Sequence, residues 1–444
     1  MTPDAVRARR VLTPEGVRPA TLLLAGGTIT GVEPLDHALP GDAEVLHVAD
    51  TAVVLPGVVD THVHVNEPGR TEWEGFATAT RAAALGGVTT LVDMPLNSIP
   101  PTTTVEHLRA KQAAAAGKLA MDVGFWGGAV PGNVPDLLPL WEAGVFGFKC
   151  FLAPSGVDEF PPLDPAQFTK ALAEIASFDG LMIVHAEDAG VLEASPAPPS
   201  RAYSDFLLSR PDEAETAAIR QVVEGARETG GRVHVLHLSS ARAIDLLADA
   251  RAEGLRVTVE TCPHYLTFAA EGIPDASPQF KCCPPIRDEG NRDALWQALG
   301  EGIIDLVVSD HSPATAEVKL AGDGDLQLAW GGIAGLQVGF TAVAAEARRR
   351  GIGLEKVSAW MSRNTADLAG LGAKGRIAVG ADADLAVYDE ATPLAVSAAG
   401  LAHRNPISAY DGLTLPGSVT ATVLAGRVLD PADPGTAGRM LVRP

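Results

Sequence analysis

Short apolar runs alternate along the chain with amphipathic, alanine-rich stretches, at a steady interval. The runs are GVVDTHVH (57–64), GVTTLVDMP (87–95), MDVGFWGG (121–128), VFGFKCFL (145–152), LMIVHAED (181–188), VHVLHLS (233–239), VTVETCPHY (257–265) and IDLVVSDHSP (304–313). Each has the length of a strand and gives way to polar or glycine-rich residues. The segments between them, such as WEGFATATRAAALGG and ARAIDLLADARAEGL, repeat their apolar residues at helical spacing. Eight strand–helix alternations predict an α/β fold, a (β/α)8 barrel of the TIM type. An open doubly wound sheet shares this spacing, although no GxGxxG follows the first strand.

The ends of the chain follow a different pattern. TLLLAGGTITGVE (21–33) and the stretch from DLAVYDE at 384 to VTATVLAGRVL near 427 are strand-like, with glycine and aspartate at the turns, and LAGGTITGV resembles TVLAGRVL. Both termini are therefore expected to pair in a small β-sandwich, 1–55 plus 379–444, beside a barrel spanning 56–378. Hydrophobic residues make up 46% of the chain and aromatics only 5%, so the core must be built from Ala, Val, Leu and Ile, as suits parallel strands under alanine-rich helices.

Charge narrows the function. A net charge of −21 and a pI near 4.9, with Arg and Lys scattered, argue against a basic groove for nucleic acid and against an anionic membrane surface. A neutral or metal-captured small molecule is the better partner. No stretch approaches a membrane span, and MTPDAVRARRVLTPEG lacks the apolar run of a secretory signal, so a cytoplasmic location is expected. Cys150, Cys262, Cys282 and Cys283 form no CxxC and read as reduced structural thiols.

In the first barrel strand alternation turns Asp60, His62 and His64 the same way, into the barrel. Two imidazoles so spaced can hold one divalent ion, yet HxH alone is a weak motif, because buried histidines often only hydrogen-bond. The other strand ends add weight: Lys149 on the fourth, His185 on the fifth, His237 on the sixth and Asp310 on the eighth, where a parallel barrel places its active site. An ammonium has no lone pair for a cation. Lys149 is therefore either a buried ion-pair lysine or a desolvated amine that adds carbon dioxide to become an anionic carbamate bridging two metals.

PGVVDTHVHVNEPGR, GGVTTLVDMPLNSIPPT, VGFWGGAV, GFKCFL, CPHY, KCCPPIRD, VSDHSP and WGGIAGLQ together resemble the cyclic amidohydrolase branch of the amidohydrolase superfamily, and within it the allantoinase family above all. The resemblance runs from about residue 20 to about residue 390. It implies that His62, His64 and Asp310 hold one divalent metal and His185 and His237 a second, with carboxylated Lys149 and a hydroxide bridging them. Zinc is the first expectation for the metals, with cobalt, manganese and iron as alternatives. Two cations sharing a water lower its pKa and polarise a carbonyl, while Asp310 carries the proton to the leaving nitrogen of a ring amide. A homotetramer is implied as well.

Dihydroorotases, close relatives, are expected to grip a ring carboxylate with an Arg two residues after HxH, an Asn in MPNT and a His in DHAPH. Asn66, Leu96 and Ala314 stand here instead, which leaves little to hold an anion. A neutral cyclic ureide fits better, and the resemblance points to opening of the hydantoin ring of allantoin to allantoate, a step of purine degradation. Hydantoinase or dihydropyrimidinase activity is the nearest alternative, and a non-catalytic scaffold of the same fold a more distant one. Candidate substrate contacts are Ser312, Asn97, Cys283 (where the family usually has Ser) and Gly332, with the loop backbone near Cys282 and Gly331. Ser312 and Asn97 could equally cap turns beside Pro313 and Pro95. His234 is expected to pack outward against helices, His264 and His311 to organise the site through hydrogen bonds, and Trp330 to sit on a glycine-rich loop near the cavity.

Overall fold

The computed structural model describes residues 1–444. In chain order the first strands are β1 (Ala5–Thr13), β2 (Gly16–Ala25), β3 (Thr28–Glu33), β4 (Val45–His47) and β5 (Ala52–Pro56). The barrel strands follow as β6 (Val58–Val63), β7 (Val88–Asp93), β8 (Asp122–Phe125), β9 (Gly127–Gly128), β10 (Phe148–Phe151), β11 (Leu181–His185), β12 (Arg232–Val235), β13 (Val257–Thr261) and β14 (Leu306–Val307). The chain then adds β15 (Leu385–Asp389), β16 (Leu394–Ala395), β17 (Thr414–Leu415), β18 (Ser418–Leu424) and β19 (Arg427–Val428).

All barrel pairings are parallel. The third expected strand is interrupted at Trp126, so that β8 pairs with β7 and β9 with β10. The Trp126 indole N–H donates across the interior to the Thr61 carbonyl at 2.8 Å. The ring closes where the His64 N–H donates to the His311 carbonyl at 2.8 Å, and where the Asp60 carboxylate accepts the N–H of His62 and of Ser309. Helices cover the outside for the reason the periodicity gave. In Pro165–Ser177, Asp164 caps the Gln167 N–H at 2.8 Å, Gln167 returns to the Asp164 N–H, and Phe168, Ala171, Leu172 and Ile175 form one buried stripe. No helix is long and apolar enough to cross a membrane.

The termini build one sheet in the order β19-β18-β15-β5-β1-β2-β3, with β4 beside β1. It is not two separate layers but a continuous sheet curled on itself. The Gly380 N–H donates to the Ile29 carbonyl, and the Ala383 N–H to that of Gly27, tying β3 to the chain that enters β15. Its own core includes Val6, Leu22, Ile29, Val54, Leu385 and Val423. The similar LAGG and LAG stretches are the turns of two hairpins that pack together. A Cβ on Gly27, at φ +81°, would lie 3.3 Å from the Ala425 Cβ.

Residues 379–444 do not all stay with this sheet. Asn405 reaches the carbonyls of Glu72 and Trp73 above the barrel. The interruption at Trp126 leaves that edge of β8 bonded to the chain entering β10 only at its end, where the Phe146 N–H donates to the Phe125 carbonyl at 3.0 Å, and the final residues fill the rest: the Val123 N–H donates to the Arg439 carbonyl at 2.9 Å and the Leu441 N–H to the Val123 carbonyl at 2.8 Å. Beside this seam the Lys374 ammonium sits among Asp122, Asp382 and Asp384 at 2.9, 3.0 and 2.6 Å. Those three acids are thus the counter-ions of a buried lysine.

Candidate metal centre

At the C-terminal rim of the barrel the strand ends bring His62, His64, Lys149, His185, His237 and Asp310 around one point. One ligand atom each from His62, His237 and Asp310 falls within 4.8 Å of the others, and Cys262, His264 and Asp310 form a second such group. His62 Nε2 lies 3.2 Å and His64 Nε2 3.5 Å from Asp310 Oδ1, and His185 Nδ1 lies 3.0 Å from His237 Nε2. His237 and Asp310 have φ of 35° and 44°, and Asn97 on a neighbouring loop has 64°. Left-handed backbone at non-glycine residues costs about 1–3 kcal/mol each, and here it turns those side chains toward the centre.

Two carboxylates fix the rings from behind. Glu260 Oε1 meets His62 Nδ1 at 2.5 Å, and Glu187 Oε2 meets His185 Nε2 at 2.8 Å. Each accepts the ring N–H and leaves the opposite nitrogen as a lone pair facing the centre. Glu260 also receives the His237 backbone N–H and, through Oε2, His234 Nε2 at 2.9 Å. His234 therefore does not pack outward against helices. β12 ends at Val235 and the chain swings at His237, so strict alternation fails between them, and His234 supports Glu260 from inside the barrel. His311 accepts the N–H of Gly335 and of Leu336 on Nδ1 and faces Glu74 through Nε2, as expected of an organising residue. His264 is buried beside Asp310, with no protein partner on either nitrogen.

The set fits divalent cations. His62 Nε2, His64 Nδ1 and His237 Nδ1 are buried without a hydrogen-bond partner in the protein, which a packed interior otherwise avoids. Burial holds His62 and His237 well below the usual histidine range, helped by Lys149 and neighbouring imidazoles, so the rings stay neutral donors. Lys149 differs from Lys111 and Lys374, two other deeply buried lysines. Lys111 is tied to Asp93, Met94 and Ser98, and Lys374 to three aspartates. Lys149 has no ion pair, and its Nζ lies only 4.7 Å over the Phe151 ring. Burial pushes its amine down to about 8, against the pull of Asp310 and Glu260. No carboxylate stands within ion-pair distance of it.

Above the centre is a cavity of about 390 Å³. His64, Lys149, His185, His237 and Asp310 form its floor, with His62 fully buried beneath. Asn97, Cys283, Ser312 and Gly332 all line its wall, as do Leu96 and Trp330. Gly332 is required by close approach: at φ +113° its Cβ would lie 2.4 Å from the Ser312 carbonyl oxygen. Arg210 and Lys281 also reach the wall, Arg210 bound to Glu187 and Lys281 to the Gln327 and Ala329 carbonyls. Leu96 is apolar, Ala314 is buried, and Asn66 turns its amide to the Pro313 carbonyl. Cys150, Cys262 and Cys282 are buried free thiols.

Sequence reasoning did not single out Glu187, Glu260 or Arg210. Glu260 left a signal, as the one charged residue in a strand otherwise of Val and Thr, and Glu187 another, two residues beyond His185.

The model of the amidohydrolase family matches residues 53–429. An allantoinase of Streptomyces avermitilis is 58% identical over 95% of this chain and 94% of that protein. The chain belongs to the allantoinase family of amidohydrolases. A second allantoinase, from Saccharomyces cerevisiae, is 46% identical over 96% of this chain and 95% of its own length. Among solved structures, the L-hydantoinase (dihydropyrimidinase) of Arthrobacter aurescens superposes with a TM-score of 0.90 at 29% identity, covering 100% of this chain and 98% of that one. A D-hydantoinase from a Thermus species gives 0.89 at 25% identity, covering 99% and 98%. Within the allantoinase family, then, this chain shares its barrel and its additional sheet with enzymes whose names specify a cyclic amide.

Proposed function

We propose that the protein opens the hydantoin ring of allantoin by metal-dependent hydrolysis, giving allantoate. The observation that carries this reading is the cavity itself: a floor of cation ligands under a wall whose charged groups are already bonded, leaving neutral donors and acceptors for a neutral ureide. His62, His64 and Asp310 would hold one divalent cation and His185 and His237 the other, zinc in first place, with a carbamate on Lys149 shared between them. When bound, such a pair acidifies water and polarises the ring carbonyl. Asp310 receives a proton of the attacking water and delivers it to the ring nitrogen as the C–N bond breaks, and the carbonyl carbon stays in the opened molecule as a carboxylate, the second proton passing to solvent. Glu260 and Glu187 keep His62 and His185 in the tautomers this requires. Asn97 and Ser312, with Cys283 and the Gly331–Gly332 backbone, orient the ring and its ureido arm. A homotetramer in the cytoplasm belongs to the same proposal.

Hydantoinase activity is the second reading, favoured by the superposition on hydantoinases. Turnover of allantoin, hydantoin and dihydrouracil by protein reconstituted with zinc and bicarbonate separates the two. Allantoin should be opened fastest. Rapid hydantoin opening with negligible allantoin turnover would overturn the proposal. Intact-mass measurement should add one carbon dioxide, mapped to Lys149.

A further inference from the structure

The mouth of the cavity is the loop Gln327–Gly332, and two buried lysines hold it by its backbone. Lys281 Nζ donates to the carbonyls of Gln327 at 3.2 Å and Ala329 at 2.5 Å. Lys319 Nζ donates to the carbonyls of Lys281 at 3.0 Å, Trp330 at 3.0 Å and Gly332 at 2.5 Å. Three N–H groups meet three carbonyls, and no acid pairs with either ammonium. A buried cation without a counter-ion is expensive unless its donors are fully used, so this position is set by what the loop needs. Burial, with the nearby Lys281 charge, draws Lys319 down to about 7.

The tripod joins two walls. The Lys281 carbonyl also accepts the Gly332 N–H at 2.9 Å, so one ammonium clasps the turn before Cys283 and the loop carrying Trp330. Between the two gripped carbonyls, the Gly331 N–H and C=O have no partner in the protein, and Gly331 lines the cavity. A cyclic ureide needs such a donor and acceptor side by side.

We infer that Lys319 is a positioning residue for ring opening: its hold on Lys281, Trp330 and Gly332 presents the free Gly331 peptide to a neutral ureide. This rests on the ureide reading above. Lys319 touches no reacting atom, so its removal should weaken binding and spare the chemical step.

The test is steady-state kinetics on metal-loaded Lys319→Met, with metal content and Tm measured on the same preparation. KM for allantoin is expected to rise about tenfold or more, with kcat within about threefold of wild type and metal content unchanged. Lys319→Gln, which keeps an amide donor, should fall between the two. Faster hydrogen exchange at residues 327–333 should accompany the rise in KM. An unchanged KM in a folded, metal-loaded Lys319→Met would overturn the inference, as would a fall in kcat that tracks metal loss. Should neither variant fold, the lysine serves the fold rather than binding, and the inference also falls. If wild type opens hydantoin but not allantoin, the allantoin assignment fails by itself while the cyclic-ureide reading stands, and the same KM comparison is made with hydantoin.

Discussion

The floor of the cavity and its mouth are both held by buried charges, but with opposite polarity. At the floor acids grip ring N–H groups, Glu260 on His62 and Glu187 on His185. At the mouth ammoniums grip carbonyls, Lys281 on residues 327 and 329 and Lys319 on residues 330 and 332. An acid behind an imidazole fixes a side chain and raises the basicity of its free nitrogen, which governs cation affinity and reactivity. An ammonium on a carbonyl fixes main chain and leaves the intervening peptide for a ligand. The floor is thus tuned for chemistry and the mouth for shape.

Perturbations of the floor should therefore appear in kcat and metal content, and those of the mouth in KM. The largest effect is expected for Asp310→Asn, which keeps the shape but cannot hold the proton: kcat for allantoin should drop by about 10²–10⁴, measured at saturating substrate. Next comes Glu260→Gln. Losing the charge behind His62 should lower apparent metal affinity or activity by about 10–100-fold, read by titrating zinc into the apoprotein. If that variant bound metal normally and only KM changed, the division between floor and mouth would be wrong. Smallest is Trp330→Ala, which removes the edge-on contact with Trp73 at 5.0 Å and should raise KM by roughly two- to tenfold at near-constant kcat. A kcat loss exceeding its rise in KM would mean that the mouth also shapes the reacting centre.

The floor was more legible in the sequence than the mouth. His62, His64, Lys149, His185, His237 and Asp310 sit at strand ends, where a period of two and the geometry of a parallel barrel point side chains to one place. That rule holds only while the strand lasts, and so it misplaced His234, because the chain leaves strand geometry at His237. The mouth follows no period. Lys319 bonds carbonyls in two loops, the farther one 38 residues away along the chain, and backbone acceptors look alike in every sequence. Curling of the terminal sheet was hidden for a similar reason: the bonds between the Gly27–Ile29 and Gly380–Ala383 segments are made by main chain alone.

The strand of residues 439–441 along β8 has a bearing on how the enzyme comes into being. Domains tend to fold as the chain emerges, N-terminal parts first. Here a piece of the barrel wall is translated more than a hundred residues after the last barrel strand, so the nascent barrel must wait with part of one edge of β8 uncovered. Its neighbours on β6 and β7 carry His62 and precede the Asn97 loop, which places the completion of this wall close to the moment at which the cavity acquires its final form.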